Sequence, residues 1–213
     1  MKSKRIFNKA VILFFGLLPG VLVTAQAHPV HEAQGLSVFS ALVHPFAVDH
    51  FLVMLAVGLW SVMALAGSGR TPVNIRQIMT GPMIFLLALL LGLTVSLLGF
   101  ALPALETSLS LSVIVLGLML LPVMQHLPKG CGLFVISVIG VCHGMAHGVE
   151  AQLAMNIATY ALGLIIGSAA LHIGGMFVGL FLKRWLVAAY SQMMALLAVI
   201  MSYLGFGLLF QLA

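Results

Sequence analysis

The sequence predicts an all-α fold, an integral membrane bundle of six transmembrane helices behind a cleaved signal peptide, and three observations predict it. The first is composition. Of 213 residues, 62% are hydrophobic and only 6% charged, whereas a soluble domain carries roughly 25% charged residues. No soluble fold can cover so much apolar surface with so few charges. The second is segmentation. The apolar residues fall into runs at about 37–66, 79–101, 107–125, 131–150, 153–182 and 185–210, each near the roughly 20 residues that cross the hydrocarbon core. The third is the placement of charge between those runs.

The N-terminal region fixes the direction of the rest. Lys2, Lys4, Arg5 and Lys9 precede an apolar run from Ala10 to Val23, and Ala25-Gln26-Ala27 follows it. A basic start, a short apolar core and an A-x-A site are the marks of a secretory signal peptide. The alternative is an uncleaved first helix. With about 14 apolar residues, broken by Pro19-Gly20, the run is short for a span. The expected division is therefore 1–27 as signal peptide and 28–213 as the six-helix domain. Cleavage starts the mature chain at His28-Pro29-Val30-His31-Glu32, outside a bacterial inner membrane.

From that start the gaps alternate in side. Arg70, Arg76, Lys129, Lys183 and Arg184 all fall in gaps that the alternation makes cytoplasmic, as the positive-inside rule requires. Both mature termini are then periplasmic. This placement also accounts for the net charge of +5 without a nucleic-acid partner. The acids segregate the other way: Glu32, Asp49, Glu106 and Glu150 lie in or beside outer segments, which suits a surface that gathers cations. Cys131 and Cys142 are eleven residues apart on one predicted helix, about 16 Å along its axis, too far for a disulfide. Two halves of three helices would run in opposite orientations, as transporter repeats do, but the two sequences do not match convincingly.

Ionisable residues inside a span are costly and mark function by default. One cluster is His44-Pro45-Phe46-Ala47-Val48-Asp49-His50, near the outer end of the first helix. The other is His143-Gly144-Met145-Ala146-His147-Gly148-Val149-Glu150, near the outer end of the fourth. At helical spacing His143, His147 and Glu150 share a face about 60° wide, and Gly144 and Gly148 leave room for a close neighbour. Should the helices meet, four imidazoles and two carboxylates converge at one depth. Imidazole suits nickel, zinc, copper and iron, and carboxylate widens the range. Some of the carboxylates would orient a histidine rather than touch metal. A single intramembrane histidine is more often an interhelical hydrogen-bonding group. Two matched clusters favour a metal site, with a metal-free proton relay as the alternative.

Weaker candidates surround these. His172, deeper on the fifth helix, is a possible step of a pathway, or a packing residue. Gln152, Asn156 and Tyr160 recur at helical spacing, and Asn156 is carried with His172 as a possible pathway residue. His28, His31 and Glu32 are a possible capture site at the exposed amine, against the plainer reading of an unstructured start. Gly163/Gly167 and Gly175/Gly179 are small-xxx-small pairs for close helix packing, within the chain or in a homo-oligomer.

At this point the motifs carry a resemblance. The stretch HPFAVDHFLVMLAVGLW is similar to a signature of the HupE/UreJ family, HGMAHGVE resembles its second signature, and ATYALGLIIGSAALHIGGMFVG is also similar. The resemblance covers essentially the whole mature chain. It implies a hydrogenase- or urease-associated membrane protein that takes up nickel, with cobalt in some members, and it implicates His44, Asp49, His50, His143, His147 and Glu150. Four residues separate His44 from Asp49, a spacing similar to the HxxxxDH pattern of another nickel/cobalt transporter family. The function expected is a permease for a divalent metal ion in the lipid bilayer, nickel first, cobalt or zinc after it. The alternatives are an intramembrane metal-dependent hydrolase and a metal sensor that does not translocate.

Overall fold

The computed structural model describes residues 48–67, 73–154 and 156–210, all within one compact unit spanning 33–213. The signal-peptide segment, His28, His31, Glu32, His44 and Arg70 lie outside the described residues.

Six helices make up the unit. They are α1 (Val48–Leu65), α2 (Ile75–Leu97), α3 (Leu105–Met119), α4 (Lys129–Ala151), α5 (Ile157–Trp185) and α6 (Tyr190–Phe210). No strand occurs among the described residues. In hydrocarbon every backbone polar group must be satisfied within its own segment, and the helix is the element that does so. Local signals set the ends. The Asn74 side chain accepts from the Arg76 N–H at 3.0 Å and caps the start of α2. The Asn156 side chain does the same for α5 through the Thr159 N–H at 3.1 Å.

Five of the helices are long and apolar enough to cross a membrane. The exception is α3. The sequence places a full span at about 107–125, but the helix has 15 residues, about 22 Å of rise. Pro122 lies three residues past its end and opens a 3-10 turn, Pro122–His126. Proline lacks the N–H that would continue the ladder and crowds the preceding turn. His126 in that turn is exposed.

The helices pack chiefly in three pairs: α2 with α4, α1 with α5, and α3 with α6. Glycine joins each pair from both sides. A methyl group on Gly144 or Gly92 would meet the backbone of the facing helix, at Leu89 and Val141 respectively. In the second pair Gly58 lies against the His172 carbonyl and Gly175 against the Leu55 carbonyl, and in the third Gly117 meets Ser202 and Gly205 meets Ile114. Without lipid-versus-core contrast in hydrophobicity, such close backbone approach is what drives helices together in a bilayer. The Gly175/Gly179 pair is thus occupied within the chain, by α1. The pairing has a symmetry that the sequences of the halves conceal. Exchanging helices 1, 2 and 3 for 4, 5 and 6 turns the α2–α4 pair into α5–α1 and returns the α3–α6 pair to itself.

The unit is inside-out relative to a soluble protein. Leu87, Phe177 and Tyr203 are 61%, 70% and 75% exposed, while His50, His143, His147 and His172 are all 0% exposed. Charge divides between the two ends. Asp49, Glu106 and Glu150 sit at the helix ends of one side, and Arg76, Lys129, Lys183 and Arg184 at those of the other. At the basic end the Lys183 ammonium donates to the Gly67 carbonyl at 2.6 Å, tying α5 to the end of α1.

Candidate metal site

Three of the imidazoles named by the sequence meet at the acidic end. His50 on α1 packs edge-on against His143 on α4, with ring centroids 4.9 Å apart, and tilted against His147 at 4.7 Å. Helices α1 and α4 touch little overall, and the cluster is one of the places where they meet. It forms because α2 holds α4 by its glycines. Gly140, Gly144 and Gly148 lie against Phe85, Leu89 and Ser96 of α2, on the side of α4 that cannot face α1.

Each imidazole is held through its Nδ1. The Asp49 carboxylate lies 2.9 Å from His50 Nδ1, and the Glu150 carboxylate 3.3 Å from His147 Nδ1. His143 Nδ1 faces the Ile139 carbonyl at 3.1 Å. A carbonyl can only accept, so that nitrogen carries the proton and donates. His143 Nε2 then keeps its lone pair, buried and without a hydrogen-bond partner among the described residues. A carboxylate or carbonyl on one ring nitrogen, fixing the tautomer of the other, is the usual support of a metal-ligating histidine. Asp49 and Glu150 each face the Nδ1 of one imidazole.

Among the described residues, no three His, Cys, Asp or Glu side chains present donors to a common point as they stand. The rings pack against one another instead. A cation entering here must turn at least one imidazole out of ring contact and toward itself.

Other side chains complete the site. The Tyr160 hydroxyl on α5 donates to the Glu150 carboxylate at 2.7 Å and lies 3.4 Å from His147 Nδ1. In the sequence Tyr160 was one of three polar residues at helical spacing, with no sign of its partner. One contributor escaped the sequence reading. Phe85 on α2 stands edge-on to His143 at 5.9 Å and to His172 at 5.1 Å; a phenylalanine in an apolar run gives no signal at all. Of the two pathway candidates, His172 is buried below the cluster, with Nδ1 on the Met54 carbonyl at 2.8 Å. Asn156 is exposed and spends its side chain on the α5 cap.

The fold and the site define a multi-span helical membrane protein with imidazoles buried inside it and carboxylates beside them. The comparisons narrow this. The model of the HupE / UreJ protein family matches residues 17–208. Protein HupE of Rhizobium leguminosarum bv. viciae is 31% identical over 152 residues, covering 71% of this chain and 73% of that protein. No solved structure matches. The chain belongs to the HupE/UreJ family, whose members are hydrogenase- and urease-accessory, nickel-related membrane proteins.

Proposed function

We propose that this protein is a permease that carries a divalent transition-metal ion, nickel in the first place, from periplasm to cytoplasm across the bacterial inner membrane. One observation supports this reading above the others: three fully buried imidazoles, with His50 in ring contact with both His143 and His147 and an acceptor within 3.3 Å of each Nδ1. Nothing in apolar packing calls for such a group, since each buried polar atom costs free energy when its bonding is incomplete. Nitrogen donors of this softness suit nickel, with cobalt and zinc close behind. The carboxylates offset part of the cost of bringing a dication into low dielectric. Imidazoles that are not arranged as a ready-made ligand set also suit a cargo, which must be bound firmly enough to enter and weakly enough to leave.

In this reading the acidic end faces the periplasm and the basic end the cytoplasm, with cleavage after Ala27 and both mature termini outside. Cys131, near the start of α4, is exposed at the basic end, whereas Cys142 is partly buried. A membrane-impermeant maleimide is expected to label Cys131 in inside-out vesicles and not in intact spheroplasts. The reverse pattern would invert the topology.

The function itself is tested by uptake of radioactive nickel into cells expressing wild type, His50→Ala or His143→Ala at equal membrane levels. Uptake by the wild type that both variants lose is the expected result. Uptake unchanged in both would remove the imidazole cluster from the mechanism. Metal bound by the purified protein with no uptake by any form would favour a sensor.

A further inference from the structure

His172 lies outside the cluster and has one feature in common with His143. Its Nδ1 faces a backbone carbonyl, that of Met54 on α1, at 2.8 Å. The carbonyl accepts, so Nδ1 carries the ring proton and Nε2 holds a lone pair. Among the described residues that Nε2 is buried and has no hydrogen-bond partner. The same holds one turn earlier on α5, where the Ser168 hydroxyl is fully buried and has no partner among the described residues. Ser202 on α6 shares this state, whereas the Ser61, Ser112 and Ser137 hydroxyls donate back to a carbonyl of the preceding turn.

Both residues belong to one buried row on α5, at four-residue spacing: Tyr160, Leu164, Ser168, His172 and Met176. Tyr160, at the start of the row, touches the cluster through Glu150 and His147. His172 is reached again through the Phe85 ring, which stands edge-on to it on one side and to His143 on the other. Met54, which anchors His172, is one turn past His50 along α1. The imidazole of His172 is therefore set about 6 Å further toward the basic end than the cluster. Orphaned polar atoms in a protein interior are rare and call for an explanation, and a single carbonyl-fixed imidazole is a half-built metal ligand.

We infer that His172, with the Ser168 hydroxyl beside it, is a second binding station for the transported dication, separated from the imidazole cluster by the Phe85 ring. Resting on the transport reading, it divides the crossing into two steps: capture at the cluster, then transfer past Phe85 to the Nε2 lone pair of His172. Two weak stations in series let an ion leave what a single strong one would retain.

The variant His172→Asn separates a ligand from a prop. The Asn amide reaches the position of Nδ1 and can still donate to Met54, but it has nothing at the position of Nε2. Nickel uptake is measured in cells, and the purified full-length protein is titrated with cobalt(II), followed by its visible absorption. Both His172→Asn and His172→Ala are expected to lower uptake about tenfold or more. Both are also expected to lose the same part of the cobalt absorption, while the part removed by His143→Ala persists. Wild-type uptake and an unchanged cobalt spectrum in His172→Asn would overturn the inference and leave the transport reading standing. A wild type that neither carries nor binds metal would sink the transport reading itself, and this inference with it.

Discussion

The two ends of the bundle are built from the same apolar helices and differ in everything else. At the acidic end α1, α4 and α5 close on one another around His50, His143, His147 and Tyr160, with carboxylates at the rim. At the basic end α1, the 3-10 turn and the start of α4 stand apart. They leave a cavity of about 80 Å³ lined by Trp60, Met119, Met124, Gln125, Lys129 and Cys131 among others. The difference lies in what faces α4. The nearest neighbours of its Gly144 are backbone atoms of α2, whereas those of Gly132, near its start, are atoms of the Trp60 ring. Backbone contact forces the acidic end shut. Contact with a side chain that can move leaves the other end looser. The acidic end is thus a tight polar site, and the basic end a roomier margin beside Lys129.

The sharpest way to break the comparison is to remove an imidazole. His147→Ala is expected to cut nickel uptake by about 10- to 100-fold at equal expression; uptake that survives would show that the closed end is packing and not a site. Tyr160→Phe comes next. It deletes only the hydroxyl that donates to Glu150, a bond to a charged group worth about 1.5–3 kcal/mol, so uptake should fall about tenfold while the protein still elutes as a folded species on gel filtration. The two glycines sharpen the contrast in stability. Gly144→Ala pushes a methyl into the Leu89 carbonyl and should cost about 1–3 kcal/mol, read as a lower midpoint of thermal unfolding in detergent. Gly132→Ala should cost clearly less, because the Trp60 ring can yield into the cavity. Equal losses for the two would refute the difference drawn between the ends. The smallest effect is expected from Lys129→Ala, a change at the open margin that should alter stability by less than about 0.5 kcal/mol and leave cobalt binding as it was.

Much of this was legible in the sequence, and the reasons are physical. Helices show because hydrocarbon length and backbone satisfaction demand long apolar runs. The α4 ligand face shows because 3.6-residue periodicity places His143, His147 and Glu150 together, and the described ends of α4 fall within two residues of those expected. The meeting of His50 with that face was readable as a matter of depth. Helix pairing was not readable. A lipid-facing leucine and a buried leucine look alike in a sequence, so the pattern cannot say that α1 leans on α5 while α2 takes α4. Without the pairing, Phe85 could not be placed between two imidazoles, nor Tyr160 on Glu150. Pro122 is visible in the sequence, but the apolar run continues past it, so the pattern alone does not end α3 at Met119.

The glycine contacts carry a consequence for how this chain can vary. At Gly58, Gly92, Gly144 and Gly175 the first atom beyond the backbone would already collide with a carbonyl of the facing helix. The spacing between those helices is therefore set by the radii of backbone atoms, which no substitution can alter. A histidine can be exchanged for another donor and the site retuned, but the gauge of the rails on which it stands allows no adjustment in either direction.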